Sequence, residues 1–297
     1  MEADNNCIVC GQEQLFKFCQ DKYHYHSCKS CGLLSTYPTP KASDIEEHYS
    51  KRFEDGNYRL AQEFMAYYLD VYKGYVRELE RRSGGNGLYL RGSKILDIGC
   101  FTGELLELLY EKGADVYGLE LQDKAIEVAN NRLPGRVFKA DVFSNNFPQA
   151  EFDVILLMGV IEHLVDPIKL LTQAVRFLKP GGLLMLQTPA SDSGIAKIMG
   201  RYWPPCAPVE HIHLFSVRSL RLLLGELGLE DIEVRRHWKK LPIAYLCNNL
   251  QYFGRRVYNK LEPCFRLLPG FITRRSVPFY IGEVVVLAKK QKEVEWQ

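Results

Sequence analysis

Short apolar runs alternate with amphipathic stretches through the middle of the chain, and this alternation predicts strands and helices in turn. The first run, Lys94–Ile98, leads into a small-residue turn over residues 99–103, and a helix is predicted from Glu104 onward. Gly99 allows a tight backbone turn, and Gly103 allows a ligand and the start of the helix to come close. This strand, turn and helix, with the pattern D-x-G-x-x-x-G, are typical of a nucleotide-binding βα unit.

Six further runs continue the pattern, and the first two of them end in an acid. Residues 115–120 predict a second strand ending in Glu120, and residues 136–141 predict a third ending in Asp141. The remaining strands are predicted at 152–158, 182–187, 231–237 and 283–287. In doubly wound sheets a carboxylate at the end of the second strand accepts hydrogen bonds from ribose hydroxyls. The chain is therefore predicted to be an α/β protein with a Rossmann-like, seven-stranded sheet.

Two cysteine pairs near the N-terminus have the spacing C-x2-C-x17-C-x2-C, and a glycine follows each pair. The four cysteines are Cys7, Cys10, Cys28 and Cys31. Four thiolates suit tetrahedral zinc, and the spacing is typical of a zinc ribbon. Two disulfides are the alternative, which the missing secretion signal disfavours. Cys19, His24 and His26 lie between the pairs and could replace a ligand, although none of them has a knuckle glycine.

The ordered strand-end motifs resemble those of class I S-adenosylmethionine (SAM)-dependent methyltransferases over roughly residues 90–235. The resemblance implies SAM as cofactor, held by Asp97, Gly99, Gly103, Glu120, Asp141 and Val142. By this resemblance Glu120 would bind the ribose hydroxyls, and Asp141 would accept a hydrogen bond from the adenine amino group. The Val142 N–H would be a hydrogen-bond donor. Phe101 stands where the family often has glycine, so its ring is expected to point away from the cofactor. The alternatives are a Rossmann-like enzyme without SAM, and a turn or capping role for Asp141.

Two histidines are candidate general bases. His163 follows the fourth strand, and His211 lies in a Glu-His-x-x-x-Phe-Ser stretch beyond the fifth. That stretch resembles one in sugar methyltransferases that carry an N-terminal zinc-binding module, which makes His211 the favoured base and Glu210 its neighbour. Pro208 replaces a tyrosine that is frequent there, and no second Rossmann-like domain follows, so O-methylation and C-methylation both stay open. The alternatives are that His163 only braces its loop and that His211 and His213 pack beneath theirs.

The remaining segments predict how the chain is divided. A zinc ribbon is expected over 1–40, a helical linker or lid over 41–87, and a methyltransferase domain over 88–297. Helices are predicted from Ser43, over 58–82, and over 217–227 with Ser216 as the cap.

An insertion at 241–282, before the last strand, is predicted to be helical and carries an excess of positive charge. Between residues 241 and 281 the basic residues are Arg255, Arg256, Lys260, Arg266, Arg274 and Arg275, against the single acid Glu262. Because aromatic residues interleave with them, this stretch could meet a diphosphate or lie on a membrane surface. It therefore predicts a nucleotide- or lipid-linked acceptor, or peripheral membrane contact. A lid helix with solvated arginines is the equal alternative.

Composition narrows the class of function. A net charge of +2 over 297 residues gives no global field that would favour nucleic acid. No apolar run reaches the ~18 residues that a membrane span needs. The N-terminus has no signal-peptide pattern, and the paired cysteines suit a reducing compartment, so a cytoplasmic location is expected.

These observations predict a methyltransferase that acts on a small-molecule acceptor, such as a sugar or another cell-envelope or secondary-metabolite precursor. One alternative is an RNA methyltransferase that uses the ribbon for RNA recognition. The ribbon region offers few cations for that role, namely Lys17, Lys22 and Lys29. Another alternative is a non-catalytic zinc-ribbon binding protein, which the intact glycine loop and Glu120 disfavour.

Overall fold

The computed structural model describes residues 5–45, 47, 65–83, 90–145, 147–244, 246, 262–263, 267–273 and 275–292. The strands are β1 (Gln14–Gln20), β2 (Tyr23–Cys28), β3 (Leu34–Tyr37), β4 (Lys94–Ile98), β5 (Asp115–Glu120), β6 (Val137–Lys139), β7 (Phe152–Met158), β8 (Leu178–Pro189), β9 (His213–Leu214), β10 (Leu229–Arg236), β11 (Lys239–Pro242), β12 (Ser276–Phe279) and β13 (Glu283–Lys290). The α-helices are α1 (Met65–Ser83), α2 (Glu104–Glu111), α3 (Asp123–Arg132), α4 (Pro167–Phe177), α5 (Gly194–Met199), α6 (Val217–Glu226) and α7 (Gly270–Thr273).

The central sheet has seven strands in the order β10-β13-β8-β7-β4-β5-β6. Its five strands from β8 to β6 run parallel, whereas β13 pairs antiparallel with both β8 and β10. Strands such as β4 and β7 are almost wholly buried because helices cover both faces of the sheet. The predicted seven-stranded sheet is confirmed, and the carboxyl ends of its parallel strands meet along one edge.

Four strands differ in length from their predictions. β8 and β10 begin earlier than predicted, at Leu178 and Leu229 rather than at residues 182 and 231. β6 ends at Lys139 rather than at residue 141, because the Asp141 carboxylate accepts hydrogen bonds from the Phe143 and Ser144 amides and turns the chain. β13 extends to Lys290, since it has paired neighbours on both sides along its length.

The helices lie close to the positions that their patterns predict. α1 buries Tyr67, Tyr75 and Leu79 in the same apolar core as strand β4, so its tyrosines serve packing. Residues 42–45 are helical, as expected near Ser43, and residues 58–64 of the second predicted helix lie outside the described residues. Ser216 caps α6 through a reciprocal pair of hydrogen bonds with Ser219.

The N-terminal strands are joined to the part of the chain that forms the central sheet. β1, β2 and β3 form an antiparallel sheet, and β9 continues it by pairing with β3, with Leu34 opposite Leu214. Cys7, Val9 and Leu33 pack into the core that covers the central sheet. The predicted unit 1–40 therefore shares both a sheet and a core with the domain that follows it.

The insertion before the last strand is closed at its base by β11 and β12, which pair antiparallel from Lys239–Phe279 to Pro242–Ser276. Of its predicted basic residues only Arg275 is described; Arg255, Arg256, Lys260, Arg266 and Arg274 lie outside the described residues. Within the described helices, none combines the length and the apolar character that crossing a membrane requires.

Candidate active site

A cavity of about 320 Å³ opens at the carboxyl ends of the parallel strands. Four chain segments line it, at the ends of β4, β5 and β6 and between β7 and α4. The lining residues are Ile98, Gly99, Leu119, Glu120, Leu121, Ala140, Asp141, Val142, Phe143, Val160, Leu164, Val165, Asp166 and Leu170. The volume falls within the range of small-molecule sites, and doubly wound sheets bind their ligands at this edge.

The loop after β4 depends on left-handed backbone conformations. Gly99 has φ +79°, and a Cβ there would lie 2.9 Å from the Val160 side chain. Gly103 has φ +80°, and its missing side chain lets Ala129 of α3 come close. Phe101 also has a positive φ, of 48°, which explains why glycine suits this position. Its ring is not among the described groups that line the cavity.

Glu120 ties this loop to the end of β5. Its Oε2 accepts a hydrogen bond from the Phe101 amide at 2.9 Å, and its Oε1 accepts from the Leu121 and Gln122 amides at 2.7 and 3.0 Å. The carboxylate thus lies between the glycine loop and the cavity.

Asp141 has both a turn role and a place in the cavity lining. Its Oδ1 accepts from the amides of Phe143 and Ser144 at 2.8 and 2.6 Å, which is a turn role, and the residue also lines the cavity. The Ser144 side chain, followed by these amides, holds the pKa of the Asp141 carboxyl below its usual value. Val142 is buried beside it and also lines the cavity.

Asp97 lies beneath the glycine loop with 3% of its surface exposed. Its Oδ1 has no hydrogen-bond partner among the described residues. Burial raises the pKa of the Asp97 carboxyl to about 7, and the nearby Glu120 charge adds to the rise. A buried acid with one unpartnered oxygen favours a cationic or hydrogen-donating group next to it. Together with the Gly99 approach and the Glu120 carboxylate, it fits the aminoacyl and ribose parts of SAM.

The two candidate bases, His163 and His211, lie together although they are far apart in the sequence. His163 contacts the carbonyl of Glu210, which lies 47 residues further along the chain. The ring centroids of His163 and His211 are 4.8 Å apart. His163 Nδ1 is 2.7 Å from the Glu210 carbonyl oxygen, and His211 Nδ1 is 2.8 Å from the Pro205 carbonyl oxygen. Because a carbonyl only accepts, Nδ1 of each ring carries a proton, so Nε2 is the nitrogen of each ring that could act as a base.

Glu162 borders this histidine pair and is 2% exposed, with Oε2 lacking a hydrogen-bond partner in the described structure. Burial raises the pKa of its carboxyl to about 8. Donor atoms of Glu162, His163 and His211 lie within 4.8 Å of one another, so this group could also hold a metal ion. The neighbouring His213 is different, since it is buried between Ser35 Oγ and the Val165 carbonyl and burial lowers its pKa to about 4. It therefore packs beneath the loop, which is the alternative role expected for this segment.

The four paired cysteines converge, with all their sulfur atoms within 4.8 Å of one another. Cys7 Sγ is 3.4 Å from Cys31 Sγ, Cys10 Sγ is 3.4 Å from Cys28 Sγ, and none of them forms a disulfide. Tetrahedral zinc with Zn–S bonds of about 2.3 Å would separate its sulfurs by about 3.8 Å. The hydrogen bond between the two thiols lowers the pKa of Cys7 and raises that of Cys31, so in the metal-free protein this pair shares a proton that a bound metal would displace. The donor set therefore fits zinc.

The alternative ligands are placed elsewhere. Cys19 is exposed on β1, with its Sγ 3.3 Å from His24 Nδ1, and His26 bonds to Asn5. None of the three belongs to the four-cysteine group.

Sequence reasoning missed the groups that connect the ribbon to the histidine pair. Tyr25 and Thr36 both reach the carbonyl oxygen of His211 from the ribbon sheet. No local pattern points to these contacts, because their partners lie 186 and 175 residues away along the chain. The apolar cavity lining was also missed, although several of its members directly follow predicted strand ends.

Comparison with known proteins agrees with this arrangement. Residues 62–234, more than half of the chain, match the family described as "Methyltransferase domain". The ubiquinone biosynthesis O-methyltransferase of Thiobacillus denitrificans is 36% identical over 105 residues, which cover 33% of this chain and 45% of that protein. The protein of the same name from Idiomarina loihiensis is 27% identical over 164 residues, covering 50% and 65%. The chain spans roughly half the length of the curated relatives it matches.

Among solved structures, the 1,6-didemethyltoxoflavin-N1-methyltransferase of Burkholderia thailandensis has a TM-score of 0.54 and 14% identity. The match covers 94% of this chain and 100% of that protein, which was solved with bound 1,6-didemethyltoxoflavin and S-adenosylhomocysteine. At such low identity the likeness concerns the fold, and it agrees with the seven-stranded sheet. The prediction of a methyltransferase is confirmed at the level of the family: this chain belongs to the methyltransferase domain family.

Proposed function

We propose that this protein transfers the methyl group of SAM to a hydroxyl of a small-molecule acceptor, with His211 as general base. The observation that carries the proposal is the pair of carbonyl-anchored histidines. Neither ring lines the cavity itself, but His163 lies on the segment whose Val160 and Leu164 do. A base that removes a hydroxyl proton must present an unprotonated nitrogen in a fixed direction. The Nδ1 anchor of each ring supports that geometry.

On this proposal, the cofactor side holds SAM by its three parts. Glu120 accepts from the ribose hydroxyls, Asp141 and the Val142 amide bind the adenine, and Asp97 and the glycine loop from Gly99 to Gly103 surround the methionine part. When bound, SAM supplies an activated methyl group on a sulfonium. Alignment is most of what the protein has to add, because in-line positioning can supply several kcal/mol of the barrier.

The acceptor side would supply the proton transfer. His211 Nε2 would take the acceptor proton as the acceptor oxygen bonds to the methyl carbon and the methyl–sulfur bond breaks, with S-adenosylhomocysteine as the leaving group. The Pro205 carbonyl would keep Nδ1–H oriented and stabilise the imidazolium that forms. His163 is the alternative base because its Nδ1 is anchored in the same way. Glu210 contributes the carbonyl that anchors His163, which gives this residue a positioning role through its backbone.

The four cysteines are proposed to hold one zinc ion that stabilises the ribbon against the catalytic fold. The backbone supports this role. Gly11 and Gly32 have φ of +69° and +81° and close two knuckles by donating to the Cys7 and Cys28 carbonyls at 2.8 Å. Such a small module gains most of its folding free energy from metal binding.

For the acceptor, we propose a sugar or another cell-envelope or secondary-metabolite precursor. The curated relatives are O-methyltransferases, which supports an oxygen acceptor. The described ribbon does not support RNA, since Lys22 is engaged by Asp44 at 3.4 Å rather than contributing to a basic stripe. A nucleotide- or lipid-linked carrier, peripheral membrane contact and a cytoplasmic location remain predictions from the sequence.

The test is methyl transfer from SAM carrying an isotopically labelled methyl group, with mass spectrometry of fractionated small-molecule extracts. We expect one hydroxylated compound to gain the label with the wild-type protein and to gain far less with His211→Ala. Label found in RNA would favour the RNA methyltransferase alternative. No transfer to any fraction together with no SAM binding would contradict the proposal.

A further inference from the structure

The ribbon reaches the main chain of His211 directly. Tyr25 Oη donates a hydrogen bond to the His211 carbonyl oxygen at 3.1 Å, and Thr36 Oγ1 donates to the same oxygen at 3.4 Å. The Thr36 amide donates to the Ile212 carbonyl at 2.9 Å. Two hydroxyls and one amide of the ribbon therefore hold two consecutive peptide groups at the candidate base.

The opposite side of this segment is held by the catalytic fold. The His211 amide donates to the Ala207 carbonyl at 2.7 Å, and the Ile212 amide donates to the Glu162 carbonyl at 2.8 Å. One residue further on, the ribbon strand β3 pairs with β9, with Ser35 opposite His213. His211 thus lies on a backbone segment that is hydrogen-bonded to the ribbon on one side and to the catalytic fold on the other. Its ring extends from this segment toward His163.

We propose that Tyr25 and Thr36 are positioning residues for His211, so that the ribbon sets the direction of the base. The inference rests on the proposed function, in which His211 takes the acceptor proton. Displacement of a base by about 1 Å can cost on the order of 10²-fold in rate, and these hydroxyls fix the carbonyl next to its Cα. The ribbon would then serve methyl transfer without touching either SAM or the acceptor.

The hydroxyl of Tyr25 is suited to this task. The residue is fully buried, and its ring packs with Leu34, Trp203 and Leu214, so the hydroxyl is carried on a rigid body. Burial raises the pKa of the Tyr25 phenol well above its usual value, so it remains an O–H donor at neutral pH. Removing only the oxygen leaves the ring in place and separates positioning from packing.

The test compares Tyr25→Phe with Tyr23→Phe in the full chain. Tyr23 lies two residues away on the same strand, is also buried, and donates to Asp44 at 2.9 Å instead. With the acceptor found by labelled transfer, we expect Tyr25→Phe to lower kcat by ~10–100-fold with unchanged KM for SAM. Tyr23→Phe should keep the wild-type kcat. If Tyr25→Phe does not fold, a second pair of variants tests the inference. Thr36→Val should lower kcat, and Thr36→Ser, which keeps the hydroxyl, should restore it.

An acceptor-independent arm uses NMR of protein labelled with ¹⁵N-histidine. The His211 Nδ1–H should exchange faster with solvent in Tyr25→Phe than in wild type or Tyr23→Phe. Wild-type kcat and exchange in both Tyr25→Phe and Thr36→Val would overturn the inference, as would an equal loss in Tyr23→Phe. The proposed function fails separately, if His211→Ala and His163→Ala both retain full activity or if wild type does not bind SAM.

Discussion

The cofactor side of the site and its acceptor side are assembled in different ways. Most groups of the proposed cofactor side lie between Asp97 and Phe143, each in the last residues of a strand of one parallel sheet or just after it. The acceptor side joins His163, His211 and the ribbon, whose contacts connect residues up to 186 positions apart. A sheet edge places the first set by local geometry, whereas long-range packing places the second. Damage to the first should therefore weaken SAM binding, and damage to the second should slow turnover.

Loss of the zinc is expected to have the largest effect on activity, and this effect should fall on the acceptor side of the site. Cys28→Ser with Cys31→Ser should abolish zinc binding, unfold the ribbon and remove methyl transfer, because structural zinc sites contribute on the order of 10 kcal/mol to folding. SAM affinity should change little. Metal analysis of wild-type protein purified without added zinc should give close to one zinc per chain.

The matched control is Cys19→Ser, which removes an exposed thiol from the same ribbon and should keep the zinc. A folded ribbon that contains no metal in the wild-type protein would contradict the assignment.

The histidine pair should show the next largest effect. His211→Ala is expected to lower the rate by ~10²–10⁴-fold with unchanged SAM affinity, because a base acts on the acceptor and not on the cofactor. Single-turnover kinetics and SAM titrations on His211→Ala and His163→Ala decide between the two rings. If His163→Ala alone shows this pattern, the roles of the two histidines are exchanged. If a chelator removes activity while the zinc of the four cysteines is retained, a metal at the histidine cluster is indicated instead.

The same contrast explains how much the sequence could predict. Apolar runs ending in Glu120 and Asp141 predicted both strands and the residues that line the cavity, since a βα unit places its strand end without help from distant segments. Strand β9 has only two residues, and its pairing with β3 leaves no periodicity to detect. The proximity of His163 to His211, which the sequence left open, likewise depends on packing between separate segments.

A third prediction concerns Asp97 and pH. Burial raises the pKa of the folded Asp97 carboxyl to about 7, whereas its ordinary value is 3.8. The stability that protonated Asp97 provides is therefore fully present below about pH 4 and is lost as pH rises through about 7. Urea unfolding of the SAM-free protein should show a decrease of a few kcal/mol across this window, to which the buried Glu162 carboxyl also contributes, and Asp97→Asn should reduce this decrease.

Asp115→Asn is the control, because this half-exposed carboxylate is paired with Arg136 at the other end of β5. An unchanged pH slope in Asp97→Asn would show that the carboxyl does not titrate in the folded protein as its burial indicates.

The most direct measurement is a calorimetric titration of SAM into wild type, Glu120→Ala and Asp123→Ala. Glu120 contacts the loop amide of Phe101 and faces the cavity, while Asp123 is an exposed acid three residues further on. We predict one bound SAM per wild-type chain, unchanged affinity in Asp123→Ala, and binding weaker by ~1.5–3 kcal/mol in Glu120→Ala, roughly 10- to 150-fold. No SAM binding by wild type, or equal affinity in Glu120→Ala, would contradict the assignment of this cavity to the cofactor.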